Sequence, residues 1–247
     1  MNKLVLATAV ASALFGASYG ATGAIESQNI VGYQTKSLQA GSTMTGATFL
    51  PVAGNGVDIQ SIFPTGDNIN AGDVNIQTLD AFGRTENMYT YYGEGEFDDG
   101  AAAGWYTDDG LAIVSFAPGQ GLWVAAPDGD TTITYSGTVG KADVTVELLQ
   151  GGSTATANMM PVAIFIQDII PAGDNIDFGD VNIQTLDAFG RTENMYTYYG
   201  EGEFDDGAAA GWYTDDGLAN ASFEPGQGLW VASPDAPTSL QFPAPEL

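Results

Sequence analysis

The sequence contains no cysteine and no histidine, and only five of its 247 residues are lysine or arginine. Each shortage removes a class of chemistry. Without cysteine there is no disulfide, thiol nucleophile or iron–sulfur ligand; without histidine there is no Ser-His-Asp relay and no ordinary zinc site. Thirty-one acids against five bases give a net charge of −26. Such a field repels phosphate backbones and anionic lipid surfaces, so nucleic acid is excluded as a partner. No apolar run approaches the roughly 18 residues that a spanning helix needs, so no membrane insertion is expected.

What is present points to an exported, ordered chain. Residues 1–20 read as a secretory signal peptide, with Lys3 in the charged region, Leu4 to Phe15 as the apolar stretch, and Ser18 and Gly20 as the small cleavage residues. A site near Ala24 is the second choice. The expected location is secreted, extracellular or on the cell surface. With 44% hydrophobic and 11% aromatic residues the mature chain has enough apolar side chain to fold without disulfides.

A duplication dominates the sequence. Gly72 to Ala112 recurs without change as Gly179 to Ala219, and looser matches extend on both sides. Pro118 to Ala125 returns as Pro225 to Ala232, and Leu38 to Thr43 aligns with Leu149 to Thr154, which sets Lys36 opposite Glu147. The units are residues 25–138 and 139–247. Two units are too few for a propeller or solenoid. Two tandem domains of about 110 residues are expected, with one fused pseudo-symmetric body as the other arrangement.

Inside a unit the pattern is β. Val74 to Leu79 and Thr85 to Tyr92 flank a glycine-containing turn, as a hairpin requires. Further short strands follow every 8–12 residues, separated by Asp-Gly and Pro-Gly turns, which predicts an all-β antiparallel sandwich or barrel. Ile59 to Phe63 and Ile166 to Ile170 are the places for a single helical turn. The Val31-Gly32-Tyr33 strand, the Gly-Trp-Tyr element and the Pro-Gly-Gln-Gly-Leu-Trp-Val segment resemble a loose group of exported bacterial β-repeat proteins. That resemblance implies export and two β-units; it brings no functional residue with it.

Three chemistries suggest themselves. The glycine-rich acidic turns place Asp98, Asp99, Asp108 and Asp109, and their duplicates Asp205, Asp206, Asp215 and Asp216, as candidate calcium ligands. The EF-hand and nonapeptide spacings are absent, and Asp-Gly is ordinary turn chemistry. Tyr89, Tyr91, Trp105, Tyr196, Tyr198 and Trp212 are candidate polysaccharide-stacking residues, although a sandwich also uses such rings in its core. Because Tyr89 and Tyr91 oppose Tyr92 in strand parity, one face should stay aromatic on the outside. Glycosidase chemistry needs one pair of acids about 5–10 Å apart. With thirty-one acids and two identical loops, such a pair carries no signal, and a non-enzymatic chain is expected.

Differences between the units bear on assembly. Ile113-Val114 becomes Asn220-Ala221 and Ala117 becomes Glu224, whereas Asp58 becomes Phe165 and Ala71 becomes Phe178. If exposed, these give two unlike faces, the requirement for a head-to-tail homopolymer; if not, they meet at the internal join. The strand carrying Ile30, Val31 and Tyr33 either pairs in its own unit or is lent to the next molecule by strand addition. The leading expectation is an exported structural protein that self-assembles into a filament or surface layer. The alternative is a carbohydrate-binding surface module.

Overall fold

The computed structural model describes residues 31–244, apart from 47, 49–55, 67–68, 127–130, 141, 175 and 235. The expected signal peptide and Ile30 lie outside the described residues. From Val31 onward the chain gathers into one compact unit, in which two repeats each have their own core.

The first repeat contributes β1 (Val31–Ser37), β2 (Gly41–Gly46), β3 (Val57–Asp58), β4 (Phe63–Thr65), β5 (Ala71–Leu79) and β6 (Thr85–Tyr92). It continues with β7 (Gly104–Thr107), β8 (Gly110–Leu111), β9 (Ser115–Phe116), β10 (Gly121–Ala126) and β11 (Thr132–Thr138). The second repeat supplies β12 (Val144–Glu147), β13 (Ser153–Ala157), β14 (Ile164–Phe165), β15 (Ile170–Gly173), β16 (Phe178–Leu186) and β17 (Thr192–Tyr199). It ends with β18 (Gly211–Thr214), β19 (Gly217–Leu218), β20 (Ser222–Phe223), β21 (Gly228–Ala232) and β22 (Thr238–Phe242). The fold is all-β and antiparallel. The only helical elements described are two three-residue 3₁₀ turns, Ile59–Ser61 and Ile166–Asp168, where single turns were expected.

Topology is duplicated along with sequence. One sheet runs β1-β11-β4 in the first repeat and β12-β22-β15 in the second; the larger runs β2-β10-β5-β6-β7-β8 and β13-β21-β16-β17-β18-β19. Period-2 alternation turns one side of each strand inward. Val74 and Ile76 of β5, Leu122 and Val124 of β10, and Ile133 and Tyr135 of β11 meet in one core between the two sheets. The same positions in the second repeat, Val181, Ile183, Leu229, Val231, Leu240 and Phe242, do likewise. β1 pairs along its whole length with β11 of its own repeat, as β12 does with β22. The first of the two fates considered for the N-terminal strand is therefore the one adopted.

The register corrects the alignment upstream of the identical block. Lys36 faces Ile133 across β1–β11, and Val146 faces Leu240 across β12–β22, so the counterpart of Lys36 is Val146 rather than Glu147. The buried partner of Leu38 is likewise Leu148, and Leu149 is exposed. An extra residue in the turn before β13 causes the slip.

The repeats meet through β2, β10, β13 and β21. Two isolated bridges, Thr45 to Gln227 and Gln120 to Thr156, cross symmetrically between them. Thr45 Oγ1 donates to Gly226 O at 2.8 Å, and Thr156 Oγ1 donates to Gly119 O at 2.7 Å. The backbones approach so closely that a Cβ at Gly121 would lie 2.6 Å from the main chain of Ala155. One half of this join is polar and the other apolar. Beside the Pro225–Gly226 turn stand Gln34 and Thr48, with Gln34 Nε2 donating to Pro225 O at 2.6 Å. Beside the equivalent Gly119 stand Val146 and Met159. Burial pushes the Lys36 ammonium down from its ordinary range, and the Glu224 carboxylate of the other repeat opposes that shift.

Candidate functional site

The aromatic residues that the sequence offered for stacking on sugar are mostly core. Trp105 and Trp212 are fully buried, and each indole Nε1 donates to a main-chain oxygen, Ile62 O at 2.7 Å and Ile169 O at 2.8 Å. Tyr91 packs edge-on against Trp105 and Tyr198 against Trp212. Tyr89 and Tyr196 pack edge-on against Phe116 and Phe223. Burial raises the phenol pKa of Tyr89, Tyr196 and Tyr198 above its ordinary range. The opposite parity is covered as well. Tyr92 packs edge-on against Phe97 and Tyr106, and Phe97 stacks on Tyr106 with centroids 4.2 Å apart. Phe97 belongs to the acidic loop, so this trio pins the loop to the sheet.

The acidic turns are separate. Asp98 Oδ1 accepts from its neighbour Asp99 N at 2.8 Å, and Asp109 N donates to Thr107 Oγ1 at 3.3 Å. Asp205 and Asp216 repeat these local bonds. Asp108 and Asp215 are exposed in the same short turns. No three carboxylates among the described residues come together as an ion site.

The assembly candidates separate. Ile113 is 94% exposed in the connection from β8 to β9, while its neighbour Val114 is half-buried against the first core. Phe165 is half-buried in the short β14–β20 ladder. Tyr33 is exposed on β1, and Phe178 is exposed at the start of β16. Ile113 and Phe178 are both exposed, apart from the join, where Lys36 and Val146 stand. A groove of the second repeat, about 530 Å³, is lined by Val162, Ala163, Ile164, Ile170, Pro243 and Ala244, with Gln167 and Asp168 beside them.

A second site lies between the repeats, around the other two duplicated tryptophans. Trp123 and Trp230 are outward-facing members of β10 and β21, opposite Gln77 and Gln184 on the neighbouring strands. The outer edge of each indole's six-membered ring meets a turn of the other repeat, and both indoles stay half-exposed. A Cβ on Gly190 would be 3.7 Å from Trp123, and one on Gly83 3.5 Å from Trp230. Both glycines have φ near +75°, a conformation the turn needs. Asp80 fastens the first turn: Oδ1 accepts from Phe82 N and Arg84 N, both at 2.9 Å, and Oδ2 accepts from Arg84 Nε at 2.8 Å. Asp187 and Arg191 repeat the arrangement. These bonds hold both carboxyls below their ordinary range.

The two turns carry Phe82 and Phe189, 76% and 79% exposed, each with an arginine guanidinium about 5 Å above its ring. Between them is a cleft of about 480 Å³ lined in matched pairs: Gln77 and Gln184, Leu79 and Leu186, Phe82 and Phe189, Gly83 and Gly190, Thr85 and Thr192, Trp123 and Trp230. Thr85 Oγ1 donates to Gln77 Oε1 at 2.6 Å and Thr192 Oγ1 to Gln184 Oε1 at 2.7 Å, which orients both amides. Parity was the available signal. Leu122 and Val124 point into the core, so Trp123 between them must point out.

Among the described residues, no helix is long and apolar enough to cross a membrane. Compared with known protein families, curated proteins and solved structures, the chain matches none.

Proposed function

We propose that this chain is an exported, non-catalytic structural protein whose copies associate head to tail outside the cell. The observation that carries the reading is Ile113, 94% exposed on a turn where the fold asks for nothing apolar. Its counterpart in the second repeat, on the same turn, is the exposed Asn220. Leu111 and its duplicate Leu218 are both exposed, so the difference between the repeats rests on Ile113. The acceptor is the groove of Val162, Ile164, Ile170 and Pro243 on the second repeat of the next copy. A knob on one repeat and a groove on the other make a heterologous contact, which grows into a chain unless its rotation closes a ring. Strand addition is not needed for this, since β1 already completes its own sheet.

The non-catalytic part rests on residue types and on titration. Among the described residues, the Asp80 and Asp187 carboxyls are displaced downward by Arg84 and Arg191, the wrong direction for a general acid. The charge of −26 keeps copies apart at low ionic strength, and screening lets them meet. Negative-stain microscopy of the mature protein in 10 mM and 500 mM salt is the test (roughly 30 Å and 5 Å of Debye length). Regular filaments or sheets at high salt are expected. A dispersed monomer under both conditions overturns the reading.

A further inference from the structure

We propose that the cleft between the two repeats binds a single strand of uncharged, equatorially linked oligosaccharide, stacked on Trp123, Trp230, Phe82 and Phe189. Four observations converge on that ligand class. The first is charge: none of the twelve lining residues is ionisable, and the guanidiniums over Phe82 and Phe189 are each neutralised by Asp80 or Asp187, in a chain carrying thirty-one acids. The second is the mixture of faces. Sugar rings present flat C–H surfaces edged with hydroxyls, and each indole here lies directly beside a glutamine amide and a threonine hydroxyl. A wholly apolar ligand would strip water from the amides and return no hydrogen bond. With both Oε1 atoms engaged by threonine, the Nε2 donors are the groups left for the ligand.

The third observation is that Phe82 and Phe189 stand exposed at the tips of turns whose geometry is fixed by Asp80, Gly83 and Arg84 and their duplicates. The fold gains little from a ring there. The fourth is length. The cleft shares Phe82 and Trp230 with an open groove of about 1020 Å³ that continues past Phe178. A chain of sugars suits this extended surface better than a monosaccharide. The groove also gives Phe178 a role on the second repeat that Ala71 does not offer on the first. The surrounding acidic field disfavours uronate-containing chains.

The cleft itself is matched, but only Trp230 also borders the longer groove, so Trp230→Ala should cost at least as much as Trp123→Ala. Cellohexaose and xylohexaose are titrated calorimetrically into the mature protein, with the hexamer of galacturonic acid as the anionic comparison. One neutral hexamer per chain is expected, with a shift in tryptophan emission, since Trp105 and Trp212 are sealed in the cores. Trp123→Ala and Trp230→Ala should each weaken binding about tenfold. A Phe82→Ala/Phe189→Ala double variant, whose side chains are exposed and whose fold should survive, should weaken it by a similar factor. The proposal is overturned if neither neutral hexamer binds at millimolar concentration, if the aromatic variants bind as well as the parent, or if the galacturonate hexamer binds equally tightly.

Discussion

Tyr135 and Phe242 occupy the same position in β11 and β22 and are both fully buried, yet only one of them carries a hydroxyl. That hydroxyl makes no hydrogen bond of proper geometry, and burial drives its pKa upward. Gln34 Oε1, Thr48 Oγ1 and Thr131 Oγ1 are the other orphaned buried atoms described, and all belong to the first repeat. An unmatched buried polar group costs about 1–3 kcal/mol. Tyr135→Phe, which installs the sibling's residue, should therefore raise stability by about 1 kcal/mol in urea unfolding. A loss of stability would show that the hydroxyl has a partner, such as a trapped water, that matters. Trp123 and Trp105 make the contrast in the other direction. Both are tryptophans in duplicated strands, but Trp105 lies in the core and Trp123 lines the cleft.

Among the elements, the turns joining β5 to β6 and β16 to β17 shape the cleft. Asp80 and Asp187 are half-buried carboxylates whose folded pKa is depressed by the hydrogen bonds and charge of Arg84 and Arg191. A depressed folded pKa means stability that is complete above the ordinary carboxylate range and is lost as pH falls through that range and below it. The difference in urea midpoint between the parent and an Asp80→Asn/Asp187→Asn variant should be largest at neutral pH and close as acid is added. A difference independent of pH would contradict the assignment. Much of this level was legible in the sequence. The hairpins, the Asp-Gly turns and the 3₁₀ turns at Ile59 and Ile166 follow from local alternation and turn chemistry. Which aromatic belongs to the core did not follow, because β6 is rich in aromatics on both parities and the acidic loop folds back to cover the outer one. The one-residue slip before β13 was hidden for a similar reason. Two consecutive leucines, Leu148 and Leu149, offer equal anchors, and only pairing with β22 selects the first.

At the scale of the whole molecule, the duplicated repeats diverge at their join. Across the join the Lys36 ammonium feels the Glu224 carboxylate of the other repeat, whereas Val146, at the position of Lys36, stands beside Gly119, two residues from Ala117 in sequence. Val146→Lys should destabilise the protein by roughly 2 kcal/mol, since the ammonium would be desolvated without a facing carboxylate. Adding Ala117→Glu should recover at least about 0.5 kcal/mol in a double-mutant cycle, and strict additivity would contradict a coupling across the join. The sequence made the exchange of Ala117 for Glu224 visible but paired Lys36 with the wrong residue, so the correspondence with Val146 emerged only from strand register. Ile113 was legible as a difference, and its 94% exposure separates it from that join.

Head-to-tail association through that residue is tested most directly by sedimentation velocity of the mature protein across salt and concentration, beside an Ile113→Asn variant. The substitution borrows the sibling residue of an identically folded turn, so the fold should be unchanged. The parent should grow in mass as salt and concentration rise while Ile113→Asn remains monomeric. A single monomeric boundary for the parent throughout, or equal growth in both proteins, would contradict the account.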